Sequence, residues 1–205
     1  MPARRSLAWR LNWYRQSELE GALLLGRMIR HVSDPYLVCR LTRHSADEAR
    51  HAWLWARTLE RLDLPIVRIR RSYQSFYLDE ISAPRGLADV LALTHVFEHR
   101  VDLHFTSELT HRDLPVDVRH TMTVLIRDER GHLDWIGRWL AARPESTAIV
   151  DAYRRADQRV ARRLAPYRER LWDVTGLGEE LWEGGRDAGR IDAEESYATQ
   201  PQHPA

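Results

Sequence analysis

Glu18, Glu48, His51, Glu98, Glu129 and His132 spell one donor pattern twice. A lone glutamate is followed, 30 residues later in the first half and 31 in the second, by a Glu-x-x-His. Carboxylates and neutral imidazoles with open coordination positions suit iron or manganese, and residues three apart share one helix face. Four acids converging in an apolar layer would cost on the order of several kcal/mol each if left charged and unpaired. Two divalent cations would cancel that charge, so the chemistry implied is a two-metal carboxylate site inside a four-helix bundle. An all-thiolate zinc or iron-sulfur centre is excluded, because Cys39 is the single cysteine.

The elements that must position these donors can be read from the same repeat. Glu98 follows Glu18 by 80 residues, and Glu129 and His132 follow Glu48 and His51 by 81. The text recurs too, as DEARHAWLW from Asp47 and DERGHLDWI from Asp128. Antiparallel helices bring two residues level only when their turn lies halfway between them. Midway from Glu18 to Glu48 stands Val32-Ser33-Asp34-Pro35, and midway from Glu98 to Glu129 stands His111-Arg112-Asp113-Leu114-Pro115. Both segments break one helix and start another. Two helical hairpins are expected.

Helical phase turns the donors inward. The first helix carries Glu18, Gly21, Ala22, Leu25, Met28, Ile29 and Val32 on one stripe. Glu20 is the rival to Glu18, but its stripe runs through Leu23 and Leu24 to Arg27 and His31, a more polar face. The second helix aligns Leu37, Leu41, His44, Glu48, His51, Trp55 and Leu59. The third aligns Leu91, His95, Glu98, Val101 and Phe105, and the fourth Met122, Leu125, Glu129, His132, Ile136 and Leu140. Composition alone predicts about 0.7 Glu-x-x-His matches in such a chain, so one match means little. A third match, Glu108 to His111, lies about 15 Å along the helix from Glu98, lacks level partners, and reads as chance. His44 and His95, one turn before Glu48 and Glu98, are extra ligands or proton carriers, or more simply hydrogen-bonded core histidines. Trp55, Trp135 and Trp139 are most economically packing residues.

At the motif level the chain resembles the ferritin-like superfamily of di-metal carboxylate proteins. Arg127 to Trp135 looks like the fourth helix of a bacterioferritin, and Asp47 to His51 with Leu62 to Pro65 is similar to its second; rubrerythrin-like spacing is shared. The likeness runs from about residue 10 to 142. It implies Glu18 and Glu98 as terminal ligands, Glu48 and Glu129 as bridges, and one metal for each of His51 and His132. It also implies that Asp47 and Asp128 hold the ligand imidazoles. Bacterioferritins place a haem-ligating Met after the second-helix Glu; here that position is Ala49, so no haem is expected.

The fold expected is all-α: a ferritin-like four-helix bundle of two hairpins, joined by a long crossover from Asp63 to Arg85 and followed by a long fifth helix. Tyr73 and Tyr77 on the crossover are gate candidates, with surface packing the simpler role. The fifth helix runs from Ala148 to about Trp172, interrupted near Pro166, and packs on the bundle or forms a homodimer seam. Residues 1–174 form the domain. Residues 175–205, Gly-rich and acidic with Trp182 as a possible anchor, form a tail expected to be mostly disordered. The 31 basic residues are all Arg but are balanced by 30 acids, which gives no footprint for nucleic acid. No signal core or membrane span is visible, so a cytoplasmic protein is expected, with Cys39 a reduced core thiol.

Together these features read as a non-haem oxidoreductase holding two Fe ions, or Mn or mixed Mn/Fe. It would activate dioxygen or peroxide toward an organic substrate, with electrons from an external donor. A ferroxidase for iron storage or detoxification, and a structural metal-binding bundle, are the alternatives.

Overall fold

The two turns fall where the repeat puts them. The computed structural model describes residues 2–69 and 71–168. In chain order the helices are α1 (Pro2–Ile29), α2 (Pro35–Arg61), α3 (Tyr73–Tyr77), α4 (Leu87–Glu108), α5 (Val116–Ala141) and α6 (Ser146–Leu164). The described residues contain no strand, and none of their helices is long and apolar enough to cross a membrane. Asp34 caps α2: its side chain accepts from the backbone N–H of Tyr36 at 2.8 Å and of Leu37 at 3.3 Å, with Pro35 in the first turn. At the other end, Asp63 takes a positive φ of 48°. Leu64 N–H reaches back to Leu59 O, and Asp63 N–H to Glu60 O, which closes the helix without a glycine.

α1 packs along α2 and α4 along α5; α2 meets α5 and α1 meets α4, so the two hairpins enclose a common interior. That interior has two apolar halves. One contains Leu25, Leu41, Leu91, Trp135 and Ile136, and the other Leu11, Trp55, Leu59, Phe105, Met122 and Leu125. The six donors occur between these groups on every helix, so the polar layer is closed off above and below by apolar side chains. Cys39 departs from expectation: it is exposed. The inward stripe of α2 passes through Leu37 and Leu41, and a residue two positions after Leu37 is rotated to the far side of the helix.

The crossover is more ordered than a loop of its length suggests. It contains α3, and Val67, Ile69, Phe76 and Tyr77 are buried in or beside a third cluster with Trp9, Trp13, Val160 and Leu164. Asn12, wholly buried on α1, pins it. The amide donates to Pro65 O at 2.9 Å, and its oxygen accepts from Val67 N–H at 2.9 Å. No sequence period marks Asn12, because a single buried amide leaves none.

α6 lies against α4 and α5, with Val150, Tyr153, Ala156, Val160 and Leu164 buried within the chain. Its apolar stripe thus packs on the bundle. The helix gives way to a 3₁₀ turn, Ala165–Tyr167, at Pro166. The expected continuation to Trp172, the tail from residue 175 and Trp182 lie outside the described residues. Asp157, buried on α6, receives both the Nε and Nη2 of Arg100, the Tyr77 hydroxyl at 2.7 Å and the Tyr73 hydroxyl at 3.3 Å. Tyr73 and Tyr77 therefore fasten the crossover to α6. Replacing Asp157 by Ala strands a guanidinium and two hydroxyls. It should lower stability by about 2–3 kcal/mol, less than for a fully enclosed pair because Arg100 is partly exposed, read as a reduced urea midpoint.

Candidate metal centre

Glu18 on α1, Glu48 and His51 on α2, Glu98 on α4, and Glu129 and His132 on α5 meet at one depth, none more than 6% exposed. Donor atoms of Glu18, Glu48, His51 and Glu129 lie within 4.8 Å of one another. So do those of a second group, His44, Glu48, Glu98, Glu129 and His132. Glu48 and Glu129 belong to both groups, as the two central carboxylates of a pair of adjacent ion positions would. A buried His/Glu cluster that could hold metal is therefore present.

The histidines enter with defined orientations. His51 Nδ1 stands 3.1 Å from Glu129 Oε1 and 3.8 Å from Glu18 Oε2; His132 Nδ1 stands 2.9 Å from Glu129 Oε2 and 3.7 Å from Glu48 Oε1. Their other nitrogens face outward onto acids of the opposite hairpin. His132 Nε2 meets Asp47 at 3.2 Å, and His51 Nε2 meets Asp128 at 3.4 Å. An imidazole that donates from Nε2 to a carboxylate leaves Nδ1 with a free lone pair for a cation. The repeat that writes Asp-Glu-x-x-His twice thus builds a reciprocal brace between α2 and α5.

His44 is the residue that sequence reasoning undervalued. Its Nε2 approaches Glu98 Oε1 at 2.8 Å and Glu48 Oε1 at 3.3 Å, and its ring stacks on His132 with centroids 3.6 Å apart. Its position one turn before Glu48 on the inward stripe was the available signal, and ordinary core histidines share it. His95, one turn before Glu98 on α4, lies beside His99, outside both donor groups. Glu20 turns away from the cluster to accept from Ser72 and Gln16, so Glu18 is the first-helix acid in the layer. Glu108, at the far end of α4, pairs with Arg10 at 3.0 Å.

Without cations the layer is charge-frustrated. Burial, and then the neighbouring Glu129 and Glu18, push the Glu48 carboxyl well above its ordinary range; burial and Glu129 do the same to Glu98. Burial alone would lower His51, but the adjacent Glu129 and Glu18 carboxylates raise it to about 11; His132 is raised against burial by Glu129 and Glu98. Glu129 is held at about 2 by His132 and His51 in spite of its burial. Among the described residues, His44 Nδ1 and Nε2, His51 Nδ1, Glu48 Oε1 and both Glu98 oxygens are buried with no well-formed hydrogen bond. Buried polar atoms in this condition are uncommon, and donors aimed at one another without bonding fit a cation between them.

The carboxylates leave one side open. A small void of about 30 Å³ is lined by all four glutamates together with Gly21, Leu24, Leu25, Gln74, Leu93, Thr94, Phe97 and Val101, and by no histidine. Gly21 helps to keep room there, since a Cβ on it would stand 2.6 Å from Glu48 Oε2.

Comparison with known proteins adds nothing to this geometry: no family model matches the chain, and no curated protein or solved structure is significantly similar to it.

Two outcomes follow from the donor layer. At neutral pH, metal loading should release protons, because His51, His132, Glu48 and Glu98 hold protons more tightly than ordinary groups of their kind and cations need the same atoms. Apparent affinity should therefore fall as pH falls, measurable by calorimetry in buffers of different ionisation enthalpy. Gly21→Ala should fold, since only the end of the Glu48 side chain must move, yet weaken metal binding on the order of tenfold, because the new methyl displaces a central carboxylate from its orientation.

Proposed function

We propose that the chain is a ferritin-like di-metal carboxylate oxidoreductase that activates dioxygen or peroxide beside an organic substrate. Glu48 and Glu129 would serve both ions. Glu18 and His51 would complete one position, and Glu98, His132 and His44 the other. The supporting observation is the void on the carboxylate side: imidazoles and their Asp braces occupy the α2/α5 wall, while the α1/α4 wall leaves space for a small molecule at the four glutamates.

An iron or manganese pair held there by Glu18, Glu48, His51, Glu98, Glu129, His132 and His44 would supply redox chemistry toward dioxygen or peroxide. The rest is the work of the chain. Asp47 and Asp128 fix the tautomers of His132 and His51, so that neither ring can turn away when a ligand arrives. Glutamate side chains facing a void can change how they coordinate without disturbing a helix. Leu24, Leu25, Leu93, Phe97 and Val101 surround the open side with apolar surface and exclude bulk water. For a hydroxylation, one oxygen atom of dioxygen would enter the substrate and the other would leave as water, consuming two electrons and two protons from an external donor. Cys39 alone cannot supply a second redox centre built from paired thiolates.

Anaerobic addition of ferrous iron should saturate at two ions per chain, and admission of oxygen should oxidise both with stoichiometric oxygen uptake. Glu129→Ala should abolish both sites, whereas His44→Ala should weaken one and spare the other, seen as one lost phase in the binding isotherm. Failure to retain iron or manganese would overturn the reading. A large hollow assembly on size-exclusion chromatography, with iron uptake far beyond the two-site limit, would replace it by storage.

A further inference from the structure

Beside the donor void lies a second, larger cavity that the two-metal reading does not use. It measures about 340 Å³, at the lower end of the ~300–1,000 Å³ typical of small-molecule sites. The two spaces share three walls, Glu18, Phe97 and Val101. From there the larger one runs between α1 and α4, under α6, past Trp13, Tyr14, Phe105 and Leu164, toward Arg10, Glu108 and Arg168. Arg10 and Glu18 are eight residues apart on one helix, so the chamber extends about 12 Å from donor layer to mouth.

We infer that this chamber binds a slender, largely apolar monocarboxylate, with its acid group at Arg10 and Arg168 and its apolar end against Glu18, Phe97 and Val101. This rests on the two-metal reading for its purpose but not for its chemistry.

Charge decides the polarity of the ligand. Arg10 Nη1 lies 3.0 Å from Glu108 Oε2, and Arg168 Nη2 lies 3.5 Å from Glu108 Oε1. One buried carboxylate thus faces two guanidiniums, which among the described residues leaves the mouth one positive charge in excess. The third arginine of the wall, Arg100, already grips Asp157 with two nitrogens, so it neither adds to that excess nor competes for the ligand. Farther in, Tyr14 and His104 satisfy each other at 2.6 Å. Burial lowers His104 to about 4 and raises Tyr14 out of the physiological range, so the pair carries no charge. Between mouth and donor layer the wall is therefore neutral and mostly aromatic, suited to a chain or ring without further polar groups. A cationic ligand would meet the excess positive charge, and a polyol would leave its hydroxyls unpaired among apolar groups.

The test uses the full chain loaded with two zinc ions, which bind without redox chemistry, titrated by calorimetry with octanoate, octan-1-ol and octylamine. Octanoate should bind once per chain, about tenfold or more tighter than the alcohol, with the amine weakest, as a charge-assisted contact requires. Arg10→Gln together with Arg168→Gln should erase the preference for acid over alcohol, which also separates mouth binding from direct ligation of zinc. Ala161→Trp, which fills the chamber from α6 without touching the donors, should remove octanoate binding. Equal affinity for the three ligands, or an acid preference that survives the double arginine variant, would overturn the inference. Because zinc is inert, octanoate binding with no oxygen uptake by ferrous protein would fault the oxidase reading alone, and oxygen uptake with no octanoate binding would fault this one alone.

Discussion

Four carboxylates share one buried layer, and the rest of the molecule is arranged around that electrostatic burden. Apolar clusters flank the layer on both sides, so bulk solvent screens the repulsion poorly. In the absence of cations, protons relieve it: two glutamates are pushed toward neutrality and two imidazoles toward the charged form, at the expense of donors that face one another without bonding. Such a layer is poor as a source of stability, because apolar residues of similar volume would serve better. Its cost is explicable by what the layer can bind.

The layer is also lopsided, and that gives it a direction. Histidines and the Asp47 and Asp128 braces tie α2 to α5, making that wall stiff and crowded. Across from it, α1 and α4 are separated by the small void and, farther along, by the larger chamber. The crossover and α6 cover this looser side. Asn12, Gln74 and Asp157 are the polar fastenings that hold the cover in place, through Pro65 and Val67, Ser17 O, and Arg100 with two tyrosines. The additions to the four helices thus enclose the side of the donor layer on which the void and the chamber lie.

His44 breaks the symmetry of the repeat. The offset of 81 puts Leu125 at the corresponding place on α5, and Leu125 is buried in an apolar cluster with nothing to offer an ion. Two similar hairpins therefore produce unequal halves of one site, with two imidazoles in one donor group and one in the other. Unequal positions bind ions with unequal strength, a property that a perfect repeat could not provide.

The sequence alone determined the four bundle helices, both turns and the level of the six donors, because spacing, caps and 3.6-residue phase are local quantities that survive as pattern; the Asp braces came only from the family resemblance. The sequence also favoured Glu18 over Glu20 by the polarity of their stripes. It misplaced Cys39, left His44 and His95 equivalent, and rendered the crossover as mere length. Only tertiary structure decided those matters. Which of two like histidines reaches a carboxylate depends on how neighbouring helices rotate against each other, and the fastening by Asn12 and Asp157 depends on segments more than 50 residues apart. The chamber beside the donors is of the same kind, since empty space between helices belongs to no residue and leaves no letter in the chain.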